Sequence, residues 1–443
     1  MLYLILTSLN LKRKMIKRYI KQTWAFLKQN KLFGSLYIIG TAIPVALTMI
    51  VITFQYIRVG SIYPENHRDE IWVSERGAFL GGVSNISQYL VEKWFYPLRK
   101  YGPVTATTNS SFFVQLPDGQ SMTNAKCLST DPDFFKVFDF EFLAGKPFTE
   151  SDFHSGRYCA VISSALAGQL FGSEAEAIGK TMKMNFTDYV VTGVVRDASS
   201  LTPRTHAQVY VPYTCTNGGI TPNRFEVTGP YKICIRAPKD KGRLIQKEID
   251  EKIRRGRIEN KDENLIVEIP LISWKSNITS VRKASDWKDD NMVADALKLW
   301  GGLLIVFLIV PALNLSGMIA GRMEERLPEM GICKAFGATR RYLLKQVLNE
   351  NLILTFTGGC IGLLISWSIL VLGRHWIFDF FLPGFYTSSE NTDDVLLRAE
   401  MFFSPWIFLS AFLVCAVLNI ASALIPAWHA LRAEIVYSLN QKK

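Results

Sequence analysis

Four apolar runs settle most of what this chain can fold into. Gly34–Ile57, Leu299–Gly321, Asn351–Gly373 and Met401–Trp428 contain no charged side chain. Each exceeds the about 20 helical residues that a bilayer core about 30 Å thick requires. Soluble proteins rarely bury a helix of that length without one charge, so all four are expected to span a membrane. Pro44 inside the first run fits, because neighbouring helices satisfy the carbonyl it frees. That run is too long for the apolar core of a cleavable signal peptide, about 7–15 residues, and reads as an uncleaved anchor. Met15 opens a second candidate start, followed by an amphipathic stretch to Phe33.

Charge assigns the sides. Residues 1–33 carry Lys12, Arg13, Lys14, Lys17, Arg18, Lys21, Lys28 and Lys31 and no acid, and so supply most of the net +11. Basic residues beside a span mark the cytoplasmic face, which explains the charge without a nucleic-acid partner. Residues 322–350 hold Arg322, Arg326, Lys334, Arg340, Arg341 and Lys345 and read as cytoplasmic. Residues 374–400 are acidic, with Asp379, Glu390, Asp393, Asp394 and Glu400. They read as external, and the tail 429–443 as cytoplasmic. The expected fold class is a membrane protein with four transmembrane α-helices (34–57, 299–321, 351–373, 401–428) and a large α+β extracytoplasmic domain, 58–298.

That domain is long enough for its own core. Short β-branched or aromatic pieces predict strands at Tyr158–Ile162, Lys180–Met184, Tyr189–Val195, Gln208–Pro212, Tyr231–Arg236 and Leu265–Ile269. Helices are predicted over Ser163–Phe171, where a serine suits the N-cap, and over Arg243–Arg255. Alternating strands and helices suggest βαβ-like units. Val281–Leu297 is expected to continue the second span outward as a stalk. Cys127, Cys159, Cys215 and Cys234 lie in this domain, and the sequence leaves open whether they pair or stay as buried thiols.

No catalytic or metal-binding constellation stands out. His67, His154, His206, His375 and His429 have no partner at ligand spacing, and no C-x-x-C occurs. Ile178-Gly179-Lys180-Thr181 imitates the end of a phosphate-binding loop, yet Glu174 stands where its first glycine belongs. A turn into a hairpin is the better reading. Ser285-Asp286-Trp287-Lys288 fits S-x-x-K but lacks the companion motifs of that enzyme class. Cofactor binding, metal binding and catalysis are therefore not expected in this chain.

The loop Arg322–Asn351 is more informative. It is longer than a hairpin connection needs, and it carries Gly331, Gly337 and a helical face of Leu343, Leu344 and Val347. Such a composition suits a helix docked on a membrane surface or in a partner's groove. Glu329-Met330-Gly331-Ile332-Cys333-Lys334-Ala335-Phe336-Gly337-Ala338-Thr339-Arg340 resembles the E-x-G-I-R-K-A-x-G-A-[ST] signature of MacB/FtsX-type ABC transporter permeases. Further pieces resemble the same family: Ile16–Gly40; Ser129-Thr130-Asp131-Pro132-Asp133-Phe134 through Phe140 with Ala144-Gly145; Ala160–Ser163; Val191–Val195; and the closing Ile425-Pro426-Ala427-Trp428 through Arg432. Cys333 departs from the usual arginine.

The resemblance implies a permease subunit of a bacterial inner membrane. Glu329, Gly331, Ile332, Lys334, Ala335, Gly337, Ala338, Thr339 and Arg340 would couple it to a separate cytoplasmic ATP-binding subunit. ATP and Mg would reside on that subunit. The resemblance further implies a dimer with a second copy or paralogue and a periplasmic adaptor or cargo, serving export, lipoprotein release or envelope regulation. The residues alone leave room for a second reading, an ectodomain sensor or scaffold that works without an ATPase.

Overall fold

The computed structural model describes residues 31–79, 82–117, 119–199, 202–216, 227–260, 266–273, 300–307 and 327–372, with scattered residues at 298, 309–323 and 406–424. The chain divides into two units: Met1–Gln55 with Ala294–Ser388 and Ala399–Lys443, and Tyr56–Val293 with Ser389–Arg398. The stalk expected over Val281–Leu297, Ser285, His375 and His429 lie outside the described residues.

The second unit is built on strands β1 (Ile71–Ser74), β2 (Gly77–Phe79), β3 (Gly82–Ile86), β4 (Val104–Gln115), β5 (Met122–Thr130), β6 (Phe142–Gly145) and β7 (Cys159–Ser163). Seven more follow: β8 (Thr181–Met184), β9 (Thr187–Val195), β10 (Val209–Pro212), β11 (Thr228–Gly229), β12 (Lys232–Arg236), β13 (Ile266–Glu268) and β14 (Ile272–Ser273). The main sheet runs β14-β1-β12-β4-β5-β10-β7-β9-β6, and β8 joins β9 back to β4. The strands β4, β5, β10, β7, β9 and β8 thus close a ring of pairings, completed where Val114 meets Met184. The closing contact is that one residue pair, and the rest of β8 pairs with β9 alone.

The ring is filled by Val114, Ala125, Cys127, Ala160, Ile162, Val191 and Val209. Leu166, Ala167 and Leu170 join them from helix α2 (Ser164–Phe171), the second helix in our labelling after α1 (Lys31–Val59). Ser163 caps α2 by accepting from the Leu166 N–H at 3.3 Å. The strand β7, helix α2 and parallel strand β9 form the βαβ unit that the alternation predicts. A second core packs helix α3 (Gly242–Asn260), through Ile245, Ile249 and Ile253, against β4 and β12. A third is aromatic, with Phe134, Phe138, Phe148 and Tyr210 buried and Phe135, Phe140 and Phe142 around them.

The predicted strands from Tyr158 onward fall where β7, β8, β9, β10, β12 and β13 lie. Strands β1 to β6, β11 and β14 escaped the sequence reading. β4 reads VTATTNSSFFVQ, too polar for an apolar alternation, yet Val104, Thr105, Ala106 and Thr107 are all buried. The Thr105 hydroxyl is satisfied internally: Thr105 and Thr130 share a hydrogen bond at 3.1 Å, and Thr130 donates to the Ala106 carbonyl at 3.0 Å. Cys127, Cys159, Cys215 and Cys234 are buried and free, which answers the question that spacing left open.

The first unit contains α1 up to Gln55, α4 (Leu327–Ala335) and α5 (Arg340–Leu372). Among the described residues two helices are long and apolar enough to cross a membrane, Gly34–Thr53 and Arg340–Leu372. The other two apolar runs are described only in part, and their described residues, such as 301–307 and 412–414, are helical. One expectation needs correction. The sequence reading treats 322–350 as a loop, free to dock elsewhere, and begins the third span at Asn351. Instead α5 runs unbroken from Arg340, because no glycine or proline interrupts it before Gly358. Leu343 and Val347 are covered within the unit by Tyr37, Ile319 and Met323.

Lower down, α5 meets α1 through glycines. A Cβ on Gly362 would lie 2.5 Å from the Ala42 carbonyl oxygen, and one on Gly358 would overlap the Thr41 hydroxyl. Such a G-x-x-x-G spacing lets two membrane helices approach closely. Gly362→Leu is expected to cost about 1–3 kcal/mol or more by overpacking and to lower the apparent melting midpoint of the detergent-solubilised chain. Gly301→Ala, with nothing within 4 Å of its Cβ, is the control that leaves the midpoint unchanged.

Candidate functional site

The corner between α4 and α5 is made by local backbone chemistry. Gly337 has φ +91°, a left-handed conformation that glycine adopts without strain. Its N–H donates to the Lys334 carbonyl at 2.9 Å, and the Ala338 N–H donates to the Cys333 carbonyl at 2.9 Å. This pair of bonds is a Schellman motif, which closes the C-terminus of α4. Two residues later Thr339 caps α5 by accepting from the Tyr342 N–H at 3.3 Å. The sequence Gly337-Ala338-Thr339 is therefore one instruction to stop and one to start.

The corner displays a defined surface. Phe336 is 88% exposed and Ile332, one turn earlier, 49%. The Phe336 N–H donates to the Ile332 carbonyl at 3.0 Å, so the two belong to one helical turn. Gly331 is buried, Ala338 half-buried, and Cys333, Ala335, Thr339, Arg340 and Arg341 are exposed. Lys334 is half-buried, and its ammonium is held below the usual lysine range by burial first and by Arg340 second. Glu329 belongs to the first turn of α4, and its side chain lies outside the described atoms. The result is an apolar knob with basic residues behind it, suited to a groove with an apolar floor and an acidic rim. The structure thus gathers the predicted residues Gly331 to Arg340 at one corner. Phe336 was missed because the family signature leaves its position unspecified; an exposed aromatic directly before a helix-ending glycine was the available signal.

In the second unit two of the three carboxylates in the Ser129–Phe140 stretch, Asp131 and Asp133, have different fates. Asp133 faces cations, with Arg99 Nε at 2.7 Å and Lys136 Nζ at 2.7 Å. Asp131 is fully buried. Its Oδ2 accepts from the Ala106 N–H at 2.8 Å and from the Tyr96 hydroxyl at 2.9 Å. Its Oδ1 has no hydrogen-bond partner among the described residues. The Tyr96 and Tyr213 hydroxyls lie 2.8 Å apart. Burial pushes the Asp131 carboxyl up to about 7 against the lowering effect of these donors. Among the described residues no group of His, Cys, Asp and Glu is arranged to hold a metal ion.

A second exposed feature sits on the turn between β8 and β9. Asn185 and Phe186 both have positive φ, +46° and +63°, as a two-residue hairpin turn requires. Asn185 is held by Phe113 from both sides, its Oδ1 accepting from the Phe113 N–H and its N–H donating to the Phe113 carbonyl, each at 2.9 Å. Phe186, in a place that favours glycine, is 83% exposed.

Comparison with known proteins supplies the class. The family described as MacB-like periplasmic core domain matches residues 36–243, and the FtsX-like permease C-terminal family matches 301–435. Together the two matches support the MacB/FtsX permease family, membrane permeases that carry a periplasmic domain. It is 26% identical over 242 residues to the uncharacterized ABC transporter permease YvrN of Bacillus subtilis, covering 55% of this chain and 57% of that one. It is 24% identical over 339 residues to the macrolide export ATP-binding/permease protein MacB of Agrobacterium fabrum, covering 76% and 46%. The chain thus spans about half the length of these curated relatives. The solved periplasmic region of MacB from Actinobacillus actinomycetemcomitans aligns at 18% identity and TM-score 0.35, over 47% of this chain and 90% of that one.

The buried carboxyl yields a pH prediction. Between about pH 4 and pH 7 the folded state keeps a proton on Asp131 that the unfolded chain has released. Its contribution to stability is fully present below about pH 4 and lost as pH rises through about 7. In the full chain, the unfolding midpoint followed between about pH 5 and 8 is expected to fall with pH, and Asp131→Asn to flatten that slope.

Proposed function

We propose that this chain is the membrane subunit of an ABC system that receives motion from a separate cytoplasmic ATPase and delivers it to the periplasmic domain. The observation that carries this reading is the α4–α5 corner. Its fold is fixed by its own backbone bonds, so Ile332 and Phe336 remain available for a partner. Glu329, Gly331, Ile332, Lys334, Ala335, Gly337, Ala338, Thr339 and Arg340 form the docking segment, with Phe336 as its apolar anchor. The topology is four spans with both termini in the cytoplasm, in a bacterial inner membrane. A second permease copy or paralogue completes a dimer, and residues 58–298 meet an adaptor or cargo. The names of the relatives support export as the kind of work done; ATP and Mg belong to the partner.

The test is a gentle-detergent pull-down of the tagged chain with an ATPase assay on the eluate. The wild type is expected to retain an ATP-binding subunit. Phe336→Asp is expected to weaken its retention at least about tenfold, the loss of one aromatic anchor worth about 2 kcal/mol or more. Glu329→Lys is expected to act in the same direction, with membrane insertion intact in both. Reproducible absence of any ATPase from the wild-type eluate would sink this reading in favour of a sensor or scaffold.

A further inference from the structure

The exit of α1 is held by a buried ion pair outside the docking corner. The last turn of α1, Tyr56–Val59, belongs to the second unit. Helices leave their final carbonyls without intrahelical partners. Here the Tyr56 carbonyl accepts from the Gly60 N–H at 2.6 Å, and Gly60 has no room for a side chain, since a Cβ would lie 2.6 Å from the Tyr56 ring. The Ile57 and Gly60 carbonyls both accept from Arg68 Nη1, at 2.5 and 2.9 Å. Arg68 Nε and Nη2 grip Glu65 Oε2 at 2.8 and 2.6 Å. Glu65 Oε1 accepts from the Thr205 hydroxyl at 3.0 Å. The Thr205 carbonyl accepts from the Tyr210 hydroxyl at 2.7 Å, and Tyr210 stands on β10 within the aromatic core. Arg68, Glu65 and Thr205 are each at most 1% exposed.

Stability alone does not account for this arrangement. A buried ion pair is often no better than a well-packed apolar pair of the same shape. What the guanidinium adds is direction: a planar fork whose donors fit one arrangement of acceptors, set at a helix C-terminus where positive charge is favoured. Apolar contacts slide, whereas this set of bonds holds the end of the helix in one orientation toward β10.

We propose that Arg68, oriented by Glu65 and Thr205, is a positioning residue that holds the turn Tyr56–Gly60 to β10 within the second unit, so that motion arriving at that turn passes into β10. The inference rests on the coupling reading above and adds to it a second element of force transfer.

The test uses the full chain with its copurifying ATPase, and compares hydrogen exchange without nucleotide and with Mg-ATP plus vanadate. The variants are Glu65→Gln/Arg68→Met, which removes both charges at similar volume, and Arg68→Lys, which keeps the charge and loses the fork. In the double variant, amides of residues 56–60 are expected to exchange at least about tenfold faster, as loss of one charge-assisted hydrogen bond implies. Protection of β7 and the rate of ATP hydrolysis stay at wild-type levels, while the nucleotide-dependent change in exchange over 205–212 disappears. Arg68→Lys is expected to show a reduced change. A wild-type nucleotide response in a double variant with β7 protected would overturn the inference. Should the double variant lose β7 protection, Arg68→Lys decides, and a full wild-type response there overturns it. If wild-type protein binds an ATPase but shows no nucleotide-dependent change, the coupling reading itself falls, and this inference with it.

Discussion

Inside a bilayer every backbone N–H and C=O of a spanning segment finds its partner within the segment. A membrane helix can therefore stop, turn or be tied to something else only at its ends, where unpaired groups need partners. The described ends solve this in two ways. At the C-terminus of α4 the chain uses its own backbone, through Gly337 and Ala338, and Thr339 starts α5 with its own hydroxyl. Nothing from elsewhere is required, so the side chains of that corner face outward. At the C-terminus of α1 the partner is the Arg68 guanidinium, bound to carbonyls 11 and 8 residues before it. That choice ties the helix end to residues far along the chain, because Glu65 and Thr205 are 140 positions apart. One end is built to be available and the other to be fixed.

Legibility in the sequence follows the same division. Signals that act over three to five residues were readable: Ser163 as a cap, β-branched runs as strands. The buried strand β7, CAVIS, is apolar up to its closing serine and announces itself. β4 does not, since its buried Thr105 is satisfied by Thr130 on a neighbouring strand, which no local pattern reports. Nor does the α1 exit. Glu65 and Arg68 look like ordinary surface charges beside a span, and only the tertiary fold shows them buried. The start of α5 is not marked by the apolar run for a related reason. Absence of charge locates the part of a helix that sits in lipid, not where the helix begins.

The periplasmic unit joins a stiff frame to polar groups in unusual settings. A closed ring of pairings and a dense aromatic core resist deformation, as close-packed interiors do. Within that frame the free cysteines behave as small apolar residues. Burial raises the Cys159 thiol to about 12 and Cys215 to about 11, so neither is poised as a thiolate. Asp131 is different, because its two donors hold one oxygen while the other has no described partner. A carboxyl so placed stays protonated well above its ordinary range, and its network with Tyr96 and Tyr213 joins β4 and β5 to the helical segment before them.

The departure of Cys333 from the family's arginine can be weighed on the same grounds. The Cys333 contribution to the corner is its carbonyl, which accepts from Ala338 whatever the side chain. The geometry of the turn is therefore indifferent to the substitution. What changes is one positive charge on an exposed surface that still carries Arg340, Arg341 and Lys345. An exposed charge steers encounter and is screened over about 8–10 Å at physiological salt, whereas a buried aromatic anchor governs residence. On the proposed coupling reading, losing the arginine thus bears on how quickly a partner arrives more than on how firmly Phe336 and Ile332 would hold it.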